Sequence, residues 1–102
     1  MSITRKYLAT KDICQVTFKL PSHLTKSIKT ASVVGGFNNW DPKANPMKKT
    51  KDGKFSLSMK LPIETEYHFR YLLDGKNWET DFDADGLSSI PWSDELNSVL
   101  KL

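Results

Sequence analysis

Hydrophobic and polar residues alternate with a period of two in three stretches of the chain. In "ICQVTFKL", Cys14, Val16, Phe18 and Leu20 alternate with Gln15, Thr17 and Lys19. "KFSLSMKL" repeats the pattern with Phe55, Leu57, Met59 and Leu61 set between Ser56, Ser58 and Lys60. "EYHFRYLLDG" puts Tyr67, Phe69, Tyr71 and Leu73 on one side and His68, Arg70 and Leu72 on the other. Such alternation marks strands with one wet and one buried face. "TASVVGGF" is a short apolar run expected as a central strand, and "NSVLKL" closes the chain as a last strand. Turn signals separate the runs: Pro21-Ser22, Gly35-Gly36, Asp41-Pro42, Asp52-Gly53, Asp74-Gly75 and Asp85-Gly86. Short strands punctuated this way predict an all-β sandwich. "SHLTKSIKTA" has weak helical spacing at Leu24 and Ile28 and reads equally as a loop. The economical division is an N-terminal arm or edge strand over 1–11 and one sandwich domain over 12–102.

With 102 residues the chain is long enough for one core. Cys14 is the single cysteine, so no intramolecular disulfide is expected, and a lone thiol suits a reducing compartment. "MSITRKYLATKDIC" has no apolar core of a leader, and no apolar run approaches the length of a membrane span. A cytoplasmic location without membrane contact is the expectation. The net charge of +3 is unevenly spread: 12 of the 15 basic residues lie in 1–60, against only three of the 12 acids. The lysines are scattered singly along strands, except in "MKKTKDGK", which reads as a hairpin tip. A nucleic-acid partner is therefore not expected.

The sequence offers little for catalysis. Cys14 falls on the apolar side of a strand, where a thiol acts as a small hydrophobe. His68 alternates outward and His23 sits in a loop, neither in a nucleophile–base pattern. "DFDADG" resembles the first half of a calcium loop through Asp81, Asp83 and Asp85, but the twelfth position, which needs a bidentate acid, is Trp92, so the carboxylates read as solvating a turn. The expectation is a protein that is not an enzyme, with no cofactor, no metal and no catalytic residues.

The aromatics carry more information. Trp40 follows "GGFNN" in a turn, Trp78 follows "DGKN" after a hairpin turn, and Trp92 follows "SSIP" in an irregular segment. None lies on the alternating face of a clear strand. Rings displayed among amides and cations suit a ligand with flat apolar faces and many hydroxyls, as a sugar has. Each stack is worth on the order of 1 kcal/mol, so two of them predict binding in roughly the micromolar to millimolar range.

The ordered segments "VVGGFNNWDP", "GKFSLSMKLP", "YHFRYLLDGKNW" and "LNSVLKL" resemble the family 48 carbohydrate-binding modules over residues 12–102. That family includes the N-terminal early-set domain of isoamylases and branching enzymes. It also includes the glycogen-binding domain of the AMP-activated protein kinase β subunit. The resemblance implies an immunoglobulin-like, early-set β-sandwich that binds α-glucans such as glycogen, starch or maltooligosaccharides. It implies that Trp40 and Trp78 hold the glucan and that Arg70, where the kinase domain has Lys, bonds sugar hydroxyls. Asn97 matches the late Asn that completes the site. Two departures stand out. "DGKNW" is one residue longer than the family's Asp-Gly-x-Trp. Ser93, Asp94 and Glu95 replace a Leu and Gly-Thr segment, with Trp92 as a substitute platform. The alternative reading is an interaction module that docks on a separate glycogen-metabolising enzyme.

Overall fold

Strand β6 (Glu66–Leu73) shows how the alternating pattern becomes architecture. Phe69, Tyr71 and Leu73 point into the core, while Arg70 and Leu72 lie on the opposite side and are also buried. A computed structural model describes residues 3–8, 12–25, 27–90 and 93–102. They form β1 (Ile3–Tyr7), β2 (Ile13–Lys19), β3 (Ala31–Gly35), β4 (Lys48–Lys49) and β5 (Phe55–Pro62), then β6, β7 (Asn77–Glu79), β8 (Gly86–Ser89) and β9 (Leu96–Lys101). One sheet has the order β1-β2-β5-β4. The other runs β3-β6-β9-β8, with β7 also paired to β6. Every pairing is antiparallel. The molecule is an all-β, immunoglobulin-like early-set sandwich, and among the described residues no helix is long and apolar enough to cross a membrane.

The core lies between the inner faces. Cys14, Val16 and Phe18 of β2 meet Val33, Phe69, Tyr71 and Leu100 of the second sheet. Phe18 and Phe69 pack edge to face with centroids 5.2 Å apart, and Phe69 continues to Tyr71 at 5.7 Å. Phe37 lies against Phe18 and Tyr67 at 5.9 and 6.0 Å, closing one end of the sandwich. Such aromatic contacts add about 0.5–1.5 kcal/mol beyond their burial. Cys14 is fully buried.

The structure decides three local expectations. The run at Ala31–Gly35 ends the strand order of its sheet, but its outer edge is also bonded: Ser32 bridges Pro46, Val33 N–H donates to Asn45 O at 3.0 Å and Met47 N–H donates to Ala31 O at 2.8 Å. It is apolar because both its faces are covered: Val33 faces the core, and Val34 on the other face is equally inaccessible. Lys48 and Lys49 pair with Ser56 and Phe55, so "MKKTKDGK" does form a hairpin, with its turn at Gly53 (φ +82°). Asp81 does not solvate a turn. It is 1% exposed, accepts the Tyr71 hydroxyl at 2.8 Å, and its backbone N–H donates to Ser98 Oγ at 2.6 Å. Burial, and then the Asp81 carboxylate, push the Tyr71 hydroxyl well above its usual range. Asp85 pairs instead with Arg5, joining β1 of the first sheet to the second. Asp81 and Asp85 thus have separate commitments, and no group of metal-ligating side chains converges among the described residues.

Candidate functional site

The loop carrying Trp40 is shaped by its neighbours in sequence. At Gly35 a Cβ would stand 2.5 Å from the His68 carbonyl oxygen and 2.8 Å from Phe69 Cβ, so only glycine lets β3 approach β6 this closely. Asn38 then ties the turn together. Its side-chain oxygen accepts from Gly35 N–H at 3.1 Å, and its amide donates to Val33 O at 3.0 Å and to Asn45 at 2.7 Å. Asn39 and Trp40 follow with φ of +56° and +58°. The left-handed region suits Asn and costs a bulky residue about 1–2 kcal/mol. Trp40 N–H donates to Gly35 O at 2.9 Å, which fixes the indole's point of departure. Asp41 accepts from Lys43 N–H at 2.9 Å to end the turn.

Trp78 is placed by a hairpin. Asp74 and Gly75 have φ of +52° and +71°, and Lys76 N–H donates to Leu73 O at 3.0 Å. The strand register then pairs Leu73 with Asn77 and Leu72 with Trp78. The additional residue of "DGKNW" is absorbed as a third loop residue. Had Lys76 paired with Leu73, Trp78 would fall opposite Tyr71 and face the core, because a one-residue slip exchanges faces. As folded, it shares the outer face with Arg70 and Leu72. Asp74 anchors this hairpin by accepting the backbone N–H groups of Lys29 and Thr30 at 2.7 and 3.0 Å, which hold its carboxyl below the usual range.

Trp40, Arg70, Trp78 and Asn97 line one open hollow of about 880 Å3, together with Gly36, Tyr67, His68 and Ser88 among others. That volume lies in the range of small-molecule sites. Trp40 and Trp78 are 39% and 37% exposed, so each ring keeps a face to solvent. Trp92 lies outside the described residues. Arg70 is only 7% exposed. Its guanidinium carbon lies 5.5 Å from the Trp78 ring centroid, and its Nη2 is 3.1 Å from Glu95 Oε1. Its buried Nε has no hydrogen-bond partner among the described residues. A buried guanidinium requires an opposite charge, and Glu95 supplies it from the segment that departs from the family pattern. At the rim, His68 Nε2 lies 3.3 Å from Glu66 Oε1.

Sequence reasoning brings Trp40, Arg70, Trp78 and Asn97 to one place. It does not find Ser88, which β8 sets opposite Asn97, because "GLSS" has no alternation to reveal a strand. It also places Arg70 on the side away from the core face, where the structure finds the side chain roofed by Trp78 and paired with Glu95. The chemistry displayed is two flat apolar rings, a cation shared with a carboxylate, and an amide. No nucleophile–base pair is among them.

No individually curated protein matches this chain. The sequence pattern of carbohydrate-binding module 48 (isoamylase N-terminal domain) matches residues 12–88. That match spans most of the chain and includes both Trp40 and Trp78, and its fold is the sandwich described above. The chain belongs to the family of carbohydrate-binding module 48, the isoamylase N-terminal domain.

Proposed function

We propose that this carbohydrate-binding module is non-catalytic and takes α-glucans, such as glycogen, starch or maltooligosaccharides, in the hollow on the outer face of its second sheet. Trp40 and Trp78 stack on sugar faces, while Arg70 and Asn97 bond hydroxyls. The observation that carries this reading is that two half-exposed tryptophans, far apart in sequence, line the same hollow. The positive φ of Trp40 adds to it. A strained residue held in place by its surroundings is a feature of binding sites. The buried lone thiol agrees with a cytoplasmic setting. Neither nucleic acid nor membrane is part of the reading.

Electrophoresis through a glycogen-containing native gel tests it. The wild type is expected to be retarded and Trp40→Ala not, with both melting cooperatively by circular dichroism. A retarded Trp40→Ala that is folded would remove the ring from the site.

A second reading is favoured by the first sheet. Its outer face presents Lys6, Lys19, Lys48 and Lys60 among Thr17, Ser56 and Ser58, and no carboxylate stands in those cross-strand pairs. Such a face suits docking on an acidic surface of a separate glycogen-metabolising enzyme. A stable protein complex with no glucan retention would favour this reading.

A further inference from the structure

The glucan hollow has its own counter-charge, and this bears on which glucans it takes. The guanidinium of Arg70 is the fixed cation among its described lining residues, and Glu95 lies 3.1 Å from it. Glu95 reaches the hollow through Arg70, and Glu66 is the carboxylate among the described lining residues, beside His68 at 3.3 Å. Arg70, Glu95 and Glu66 together carry a net negative charge. Arg70 is buried under the Trp78 ring, so an incoming anion cannot approach it as a solvated surface cation. The anion has to displace Glu95 or sit beside it. By contrast, the Glu95 side chain is 56% exposed and its carboxylate offers lone pairs to hydroxyl donors. An Arg–Glu pair presents donors and acceptors together, which is what a neutral polyol uses.

From this we infer that Glu95 is a specificity-determining residue that restricts the hollow to uncharged glucans and rejects phosphorylated ones. The inference rests on the glucan reading proposed above. Its physical content is electrostatic: Glu95 already neutralises Arg70, so a phosphate finds no free cation and meets the Glu66 carboxylate, a repulsion worth about tenfold in affinity even when water screens it. The same carboxylate costs an uncharged sugar nothing of this kind.

The test is a titration followed on the indole N–H signals of Trp40 and Trp78, with maltoheptaose and monophosphorylated maltoheptaose as probes. The wild type is expected to bind maltoheptaose about tenfold more tightly than the phosphorylated probe. Glu95→Gln keeps an acceptor for Arg70 but removes the charge, and is expected to bring the two affinities within about threefold. Glu95→Asp keeps the charge and is expected to retain the preference. Equal affinities in the wild type, or an unchanged preference in Glu95→Gln, would overturn the assignment to Glu95 while leaving the glucan reading intact. If neither probe moves either indole signal of the wild type, the glucan reading falls and this inference with it.

Discussion

The outer faces of the two sheets share one strand periodicity but expose different chemistry. On the first sheet the outward residues of β2 and β5 are Gln15, Thr17, Lys19, Ser56, Ser58 and Lys60, with Ile13 and Pro62 paired at one end. On the second sheet the outward positions include Val34, Leu72 and Val99, which are nearly inaccessible, and Arg70, equally buried. The first face is finished by water. The second is roofed in part by its own chain, where the Trp78 ring lies over Arg70 and Glu95 pairs with it. Polar alternation makes an ordinary wet sheet face, whereas a second apolar layer outside the core makes a floor on which rings can stand. That contrast sets apart the face that bears the candidate site.

The largest expected effect comes from a residue on which both faces depend. Phe69→Ala removes the ring between Phe18 and Tyr71 and is expected to cost about 3–5 kcal/mol in urea denaturation. Gly35→Ala comes next. Its Cβ meets the β6 backbone, and about 1–3 kcal/mol of destabilisation is expected, together with weakened glucan binding because the Trp40 turn starts there. A Gly35→Ala variant of wild-type stability would show that β3 can move away from β6, contrary to the packing described.

Alkaline pH probes the inner side. Tyr71 ionises with more difficulty when folded than when unfolded, so the stability it contributes is complete below about pH 10, the unfolded tyrosine value. Above that pH the unfolded state ionises first, and stability is expected to fall by up to about 1.4 kcal/mol per pH unit. Tyr71→Phe should flatten this dependence in denaturation measured from pH 8 upward. The smallest effect is expected on the first sheet's outer face. Thr17→Ala should change stability by less than about 1 kcal/mol and leave glucan retention unaltered in the glycogen gel.

The alternation that defines β2 and β5 is legible in the sequence because each strand has one solvated face for contrast, and β6 reads as alternating because His68 and Arg70 are polar, although Arg70 and Leu72 are buried. β4, β7 and β8 are too short to show a period, and β7 carries Trp78. The face of Trp78 depends on whether Lys76 joins the strand or the loop, which the paired backbone decides and local sequence does not. Arg70 reads as outward, and its side of the strand is correct. Its burial is not legible, because the roof comes from Trp78 and the counter-charge from Glu95, brought together only by the β6–β9 and β6–β7 pairings. Asp81 reads as a turn carboxylate because its neighbours are turn residues, and its burial follows from Tyr71 and Ser98 on two other strands.

A chemical-shift titration of the isotope-labelled chain with maltoheptaose tests the central claim most directly. The account predicts that the indole signals of Trp40 and Trp78, with backbone signals at Arg70 and Asn97, move along one binding curve at micromolar to millimolar sugar. Thr17 and Lys60 on the opposite sheet should stay still. Shifts confined to the first sheet, or none at millimolar sugar, would contradict it.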